Sequence, residues 1–268
     1  MSFTLKIDNS RVLKVIIETL ASIIDETEFR VSPNDFTISA MDPSRICLLK
    51  LSIGKENFEE YKCSKESKVG LNLDDLDKIL KRTGTDDTVT IDFNEKDQKI
   101  KIKMQSKTEA KKRVRTFSLA LLDIEIEDIP MDNLLAIEYP TKWVIEPDFL
   151  VEAIKDAEIY SEILNIKADE NQGLTFSSSG QIGEMEYELD SDELIESDIS
   201  ETSSGAYSLT FLKAILKLAS ITDKLEISLK SDHPLKMMFN LLEGGELNYF
   251  LAPRVEEAEF DEEDMDEF

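Results

Sequence analysis

The sequence is poor in the residues on which many enzyme sites depend. Its 268 residues include one histidine, His233, which precedes a proline, so no second imidazole is present for a metal site. No CxxC pair indicates zinc, and no GxxxxGK[ST] loop indicates a nucleotide-binding P-loop. A structural role in a turn is the simpler interpretation of His233. We expect no enzyme activity, no cofactor and no metal.

Long apolar runs and cysteines are also scarce. The most apolar segment, Val12 to Ile24, is interrupted by Lys14 and Glu18 and falls short of the ~20 residues that a membrane span needs. The N-terminus lacks the charged-then-apolar order of a signal peptide. Two cysteines, Cys47 and Cys63, are too few for a disulfide framework, which favours a reduced, intracellular protein with buried thiols.

What the chain does contain is a repeat. Leu71 to Lys81 (LNLDDLDKILK) and Tyr207 to Lys217 (YSLTFLKAILK) match at an offset of 136 residues, about half of the chain. Each segment precedes a turn and a predicted strand, with Val89 corresponding to Leu225. A repeat of this size predicts two similar domains, and it favours a function built from symmetry and surface.

The net charge of −26 is concentrated in two segments. Residues 183–201 and 256–268 each carry nine acidic residues and no basic one, so together they account for 18 of the 26 charges. The second run is predicted to be a disordered tail. The remaining chain can therefore still gather its basic residues on one surface.

Hydrophobic periodicity predicts an α+β fold in which the order strand, helix, then several strands occurs twice. The predicted domains are residues 1–120 and 135–255, joined by an acidic, apolar connector at 121–134 and followed by the tail at 256–268. The predicted helices are 10–24, 73–82, 147–160 and 209–220. The predicted strands are 4–7, 29–31, 36–41, 46–53, 88–93, 99–104, 114–120, 143–145, several within 164–189, 224–229, 235–241 and 247–251.

Basic residues recur on the four predicted helices, mostly three or four positions apart and opposite the apolar stripe. A solvated face explains any one helix. Four such faces at corresponding repeat positions in an acidic chain instead favour contact with phosphates, which does not depend on nucleotide sequence. These residues are Arg11, Lys14, Lys78, Lys81, Arg82, Lys155, Lys213 and Lys217.

Three segments carry a resemblance to a known family. They are SAMDPSRICLLKL (39–51), the segment 58–80 that ends in VGLNLDDLDKIL, and YFLAPRVEE (249–257). Together they resemble the proliferating cell nuclear antigen family, the DNA sliding clamps of archaea and eukaryotes. The resemblance extends from about Phe3 to Val255, and the acidic end is longer than is usual in that family.

The resemblance implies a pseudo-six-fold ring of three subunits, with helices lining the hole and strands outside. The chain would assemble with itself or with sister subunits. Duplex DNA would pass through without being recognised by sequence, and the eight basic residues would face it. Glu152, beside Lys155, departs from the expected basic character. The protein would act at an archaeal nucleoid, or in a nucleus if eukaryotic, and not at a membrane.

The resemblance also implies a partner pocket beneath the connector. DNA polymerase, clamp loader, flap endonuclease and ligase would each insert a motif with a glutamine and two aromatic residues. An ordinary core position is the alternative for the apolar members, above all Leu48 and Leu251. The matching residues are Met41, Arg45, Ile46, Leu48, Ile126, Ile129, Pro130, Pro234, Phe250, Leu251, Ala252, Pro253 and Arg254.

Clamp subunits would join through edge strands, and here the two expected edges differ in charge. We hypothesise that charge pairing across the subunit boundary helps assembly, although exposed pairs contribute only ~0–1 kcal/mol each. A solvated strand or a nuclear targeting signal is the alternative for the basic segment. The residues concerned are Lys111, Lys112, Arg113 and Arg115 on one edge and Glu184, Glu186 and Glu188 on the other.

Two other functions compete with a processivity clamp. An acidic chaperone or DNA mimic would use the acid runs to bind basic partners, but it would not need basic helix faces. A metal-dependent nuclease would use clustered carboxylates, but none lies in the apolar, glycine-flanked setting that raises a carboxyl pKa.

Overall fold

The computed structural model contains eighteen strands and five α-helices within the residues that it describes. Those residues are 2–8, 10–84, 87–107, 113–124, 129, 131–169, 173–242 and 244–254. The predicted tail lies outside them. The strands of the first half are β1 (Ser2–Ile7), β2 (Glu26–Val31), β3 (Asp35–Met41), β4 (Cys47–Gly54), β5 (Glu60–Cys63), β6 (Ser67–Asn72), β7 (Asp87–Asn94), β8 (Lys99–Ser106) and β9 (Val114–Ala120).

The second half repeats this series after the connector. Its strands are β10 (Thr141–Ile145), β11 (Ile163–Asp169), β12 (Gly173–Gly180), β13 (Gly183–Leu189), β14 (Glu196–Ile199), β15 (Ser203–Ser208), β16 (Leu225–Leu229), β17 (Leu235–Leu241) and β18 (Gly245–Leu251). The helices are α1 (Ser10–Ala21), α2 (Leu73–Leu80), α3 (Met131–Leu135), α4 (Pro147–Ala157) and α5 (Leu209–Ala214).

The sheets show that the repeat extends to topology. The first half forms the strand orders β5-β1-β7-β8-β9 and β4-β3-β2-β6, and the second half forms the equivalent orders β14-β10-β16-β17-β18 and β13-β12-β11-β15. All pairs are antiparallel. β18 pairs with β4, so one sheet of nine strands crosses the boundary between the halves. The predicted α+β architecture of two similar domains is confirmed, and their exact limits stay a prediction.

Each repeated helix packs its apolar side onto the sheets. Leu76 and Leu212, which occupy equivalent positions in α2 and α5, are both fully buried. The α2 helix is capped by Asn72, whose side chain accepts a hydrogen bond from Asp75 N at 2.9 Å. Such a cap satisfies one of the unpaired N–H groups of the first turn.

The predicted helices are too long, and four strands were missed. The first, second and third predicted helices end at Ala21, Leu80 and Ala157. The fourth breaks after Ala214 into a 3₁₀ segment, Leu216–Ile221. Ile215, Leu218 and Ile221 follow a spacing of three, which suits a 3₁₀ helix because side chains three apart align there. The missed strands, β5, β6, β14 and β15, are short or polar and lack clear alternation.

The two thiols are placed differently. Cys47 is fully buried in β4, as expected, and burial raises its pKa to about 12. Cys63 is only half-buried, so the expectation of a buried thiol is wrong for this residue. Burial also raises the pKa of Cys63, which disfavours the reactive thiolate form. Within the described residues, no helix is long and apolar enough to cross a membrane.

Candidate functional site: a basic helix layer and an apolar pocket

The predicted basic residues lie on the side of the helices that faces away from the sheets. Seven are exposed and Lys14 is half-buried. Carboxylates on the same layer hold four of the eight. Lys78 pairs with Asp75 at 3.0 Å, Lys213 pairs with Glu158, and Lys81 and Lys217 pair with Glu18. The other four form no ion pair with any residue in the part of the chain that the structure describes.

The helices of the two halves touch each other. Arg11 Nη2, on α1, donates to the backbone oxygen of Ser220 at 3.0 Å. Lys217 Nζ donates to Glu18 Oε1 at 2.9 Å, and Lys81 Nζ lies 3.7 Å from the same oxygen. The helix layer is therefore one continuous surface across the domain boundary.

The α4 helix contributes little positive charge to this surface. It carries Asp148, Glu152 and Asp156 against the single Lys155. Glu152 also has a structural partner, because the Tyr187 hydroxyl of β13 donates to its Oε2 at 3.3 Å. Glu152, whose acidic side chain departs from the basic character expected there, therefore lies toward the edge strand β13.

The predicted pocket begins at the turn between β3 and β4, which Asp42 organises. Asp42 Oδ1 accepts from the backbone N–H groups of Ile46 at 2.7 Å and Cys47 at 2.6 Å, and Oδ2 accepts from Ser44 N at 2.9 Å. Arg45 adopts a left-handed backbone conformation with φ of 59°. The turn thus presents Arg45 to the depression described below, whereas the partly exposed Ile46 does not line it.

The connector covers one side of this turn. Leu122 N donates to Gly70 O at 2.9 Å, and a Cβ on Gly70 would lie only 2.4 Å from the carbonyl oxygen of Leu122. Only glycine permits so close an approach. Between connector and turn lies a depression of about 300 Å³. It is lined by Glu26, Thr27, Ser39, Ala40, Met41, Asp42, Pro43, Arg45, Ile124 and Ile129.

The structure separates the predicted pocket residues into several groups. Met41, Arg45 and Ile129 line the depression. Leu48 and Phe250 form a buried floor with Met131, against which Met41, Ile129 and Leu134 pack. Leu251 is fully buried in the main core, so we correct its assignment to the pocket. Ile126 and Pro130 lie outside the described residues.

The remaining predicted residues lie after β18 and beside it. Ala252 N donates to Ile46 O at 2.8 Å, and Arg254 N donates to Ala206 O at 2.8 Å. Pro253 is half-buried between them. The half-buried Pro234 is held by its carbonyl, which accepts from the Tyr139 hydroxyl at 2.9 Å. Ala252 therefore lies beside the turn that Asp42 organises.

Several residues of the site escaped the sequence analysis. Ala40, Thr27 and Ile124 line the depression, and Met131 belongs to the buried cluster against which Leu134 packs. The MDNL segment after Pro130 was itself a signal, because two apolar residues three apart favour a helical turn that buries both.

The edges of the sheets also show more than the sequence predicted. β9 and β13 are edge strands, and β13 exposes Glu184, Glu186 and Glu188. Lys111 and Lys112 lie outside the described residues, Arg113 is exposed, and Arg115 pairs with Asp87 at 2.6 Å. Val114 on one edge and Ile182 beside the other are exposed apolar residues that the charge pattern did not reveal.

Two repeated domains with a helix layer on continuous antiparallel sheets define a DNA clamp fold. Models of the proliferating cell nuclear antigen N-terminal and C-terminal domains match residues 2–128 and 148–254. The chain belongs to the proliferating cell nuclear antigen family, the DNA sliding clamps, as the sequence predicted.

Individual relatives agree with this assignment. The DNA polymerase sliding clamp of Thermofilum pendens is 34% identical and covers 92% of this chain and 97% of its own. That of Pyrococcus abyssi is 30% identical over 96% of this chain and 100% of its own. A chain in the PCNA2–PCNA3 complex of Sulfolobus tokodaii superimposes with a TM-score of 0.84 at 27% identity, covering 94% of this chain and 100% of that chain.

A pH series tests the role of Asp42. Burial raises its pKa, but hydrogen bonds from Ser44, Cys47 and Ile46 outweigh burial and hold the pKa below the ordinary 3.8. A carboxyl with a lowered folded pKa stabilises the fold above its unfolded pKa and loses that effect as pH falls through the folded value. We expect Asp42→Asn to lose about 1–3 kcal/mol of unfolding free energy at neutral pH.

The difference between wild type and Asp42→Asn should close in acid, below pH 3.8. Urea unfolding of both proteins at several pH values measures this difference. A difference that stays constant with pH would contradict the role of the ionised carboxylate.

Proposed function

We propose that this chain forms a three-subunit ring that encircles duplex DNA and holds replication and repair enzymes on it. The observation that carries the proposal is the internal symmetry of the sheets. β18 and β4 pair inside the chain, and their repeat equivalents, β9 and β13, are left as unpaired edges. The β18–β4 pairing within one chain therefore indicates that β9 of one chain would pair with β13 of another in the same way.

Such a joint is head-to-tail, because the edge β9 of one subunit meets the edge β13 of the next. Head-to-tail contacts make rings when the rotation closes. They also remove exposed edges, which otherwise invite aggregation. One similar solved structure is a complex of PCNA2 with PCNA3 from Sulfolobus tokodaii, which supports sister subunits as well as identical ones. Identical subunits or sister subunits would both make this joint.

The internal pairing also predicts the register of this joint. Leu247 faces Leu51 and Tyr249 faces Leu49 in the β18–β4 pair. At the equivalent positions, Arg115 would face Tyr187 and Phe117 would face Met185. Phe117, Met185 and Tyr187 are apolar or aromatic side chains packed only partly into the core. Their remaining apolar surface would be buried by the joint, which is the main favourable term in association.

Charge pairing has a smaller part in this arrangement. Glu184, Glu186 and Glu188 point to the opposite face of β13 from Met185 and Tyr187, as alternation along a strand requires. In the register given above they would face Ser118, Thr116 and Val114 of the neighbouring subunit, so the predicted partners Lys111, Lys112 and Arg113 would lie beyond the Glu188 end of the joint. Pairs of this exposed kind tune assembly at low salt and contribute little singly.

In the ring, the helix layer would line the hole. Lys and Arg side chains at this surface would contact the DNA phosphates whatever the base sequence, so the ring would be free to slide along the duplex. The paired carboxylates would keep the contacts weak. The acidic α4 helix would contribute least. In this proposal the chain catalyses no reaction itself, and it acts with duplex DNA wherever the replication machinery acts.

The apolar depression would receive the anchoring motif of each partner. A floor of Leu48, Phe250 and Met131 under a rim with Arg45 suits a short peptide that buries aromatic side chains. Polymerase, clamp loader, flap endonuclease and ligase would compete for this one site per subunit. One partner would replace another at this site readily, because each is held by a short peptide and not by a large rigid interface.

Topology distinguishes a ring from a protein that merely adheres to DNA. After loading, the protein should remain on a nicked circle and be lost when one cut linearises the circle, because only a ring can slide off an end. Gel filtration of the complex before and after cutting measures the difference. Equal retention on circle and line, or equal loss, would contradict encirclement.

Light scattering tests the joint with two kinds of variant. Phe117→Glu should convert the assembly to monomers, because it places a charge in the apolar contact. Reversal of Glu184, Glu186 and Glu188 to lysine should weaken assembly, and only at low salt. If the Phe117→Glu variant still forms a trimer, the predicted apolar contact between the edge strands is wrong. If assembly changes neither with the charge reversal nor with salt, the hypothesis of charge pairing is wrong.

A peptide titration tests the pocket. Met41→Glu should weaken binding of a peptide with one glutamine and two aromatic residues by about tenfold or more, as expected for a buried anchor contact. Met238→Glu is the matched control, because Met238 is also half-exposed on the nine-stranded sheet but does not line the depression. Equal affinities of the two variants in fluorescence anisotropy would rule out this pocket.

A further inference from the structure

One carboxylate in the helix layer holds the two lysines that the repeat makes equivalent. Lys81 and Lys217 occupy the same position of the duplicated segment. Glu18 Oε1 lies 2.9 Å from Lys217 Nζ and 3.7 Å from Lys81 Nζ. Glu18 comes from α1, Lys81 follows α2, and Lys217 lies in the 3₁₀ segment of the second half. The contact therefore spans both domains.

The charge of Glu18 is fixed under ordinary conditions. The hydrogen bond from Lys217 lowers its pKa against the opposing effect of burial, and the charges of Lys217, Lys81 and Lys14 lower it further. Glu18 is about a quarter exposed, so it remains open to solvent and to an incoming anion. The result is a permanent negative charge placed within reach of two ammonium groups.

The two lysines differ in what else holds them. Lys81 also pairs with Asp77 at 2.6 Å, whereas Glu18 is the one carboxylate within ion-pair distance of Lys217 among the described residues. Loss of Glu18 would therefore release Lys217 fully and Lys81 in part. The hydrogen bond from Arg11 to Ser220 would still hold α1 against the second half.

We propose that Glu18 is a built-in competitor of the DNA phosphates. This inference rests on the proposed function, which assigns the same two ammonium groups to phosphate contact. A carboxylate oxygen and a phosphate oxygen accept the same charge-assisted hydrogen bonds. Each phosphate contact must displace Glu18, and each release restores it, so contacts at these lysines exchange readily.

The consequence is a limit on how tightly the helix layer holds DNA. Without Glu18, Lys217 would be fully available and Lys81 partly available to neutralise phosphates in each subunit. Each added phosphate contact strengthens binding and steepens its dependence on salt. Glu18 thereby favours sliding over gripping, although its own charge is of the wrong sign for a DNA-binding surface.

The test compares Glu18→Gln with Glu59→Gln in the full-length chain. Glu59 pairs with Lys6 at 2.7 Å on the outer sheet, so its substitution removes the same charge away from the helix layer. With a short duplex and anisotropy over a salt series, Glu18→Gln should bind about three- to tenfold more tightly at low salt, with a steeper slope. Glu59→Gln should match wild type. Adding Lys217→Gln to Glu18→Gln should reverse most of the gain.

The outcomes separate this inference from the proposed function. Light scattering first shows that each variant assembles as wild type does. If Glu18→Gln does not assemble, Glu18→Asp keeps the charge but shortens the reach, and it should give a smaller gain. Wild type that is not retained on circular DNA would refute the ring itself. A retained wild type with Glu18 variants no tighter than Glu59→Gln would overturn the role of Glu18 alone.

Discussion

The antiparallel pairing of β18 with β4 is the contact on which the rest of the structure depends. It makes one sheet from two repeated halves, with Leu247 opposite Leu51 and both side chains fully buried. The same two strands supply the floor of the pocket through Leu48 and Phe250. The same pairing fixes the two halves relative to each other, and α1 of the first half lies against the 3₁₀ segment of the second. The apolar depression and the helix layer therefore both depend on one joint.

Electrostatics explains how so acidic a chain can still act on DNA. The acidic segments at 183–201 and 256–268 account for most of the net charge and do not belong to the four repeated helices. Within the helix layer, the partly exposed Glu18 and the buried Asp77 hold lysines that are about half exposed. Ion pairs that are open to solvent add little stability. Their effect is to keep cations at the surface while limiting the strength with which any one of them binds phosphate.

The sequence predicted the parts of this fold that depend on local pattern. The apolar spacing around Leu76 and Leu212 was enough to identify the duplication, the helices and the basic faces. It could not show that Leu251 belongs to the main core, because an apolar residue in the last strand gives the same pattern whether it packs in the core or lines a pocket. It could not place Glu18 beside Lys217, since 199 residues separate them in the chain. The apolar residues that β9 and β13 leave partly exposed were not predicted, because the charged residues of these segments dominate their sequence pattern. Ion pairs and edges are products of tertiary packing, and those were the features that periodicity left undetermined.

Processivity on a primed circular template tests the central claim most directly, because it requires encirclement and tethering together. With a family polymerase and clamp loader, the wild-type chain should convert short products to long ones in a single binding event. Met41→Glu should remain on the circle yet leave the products short. If the wild-type chain stays on the circle and does not lengthen the products, or if Met41→Glu lengthens them as well as wild type does, the account of this chain as a clamp that tethers enzymes through its pocket is contradicted.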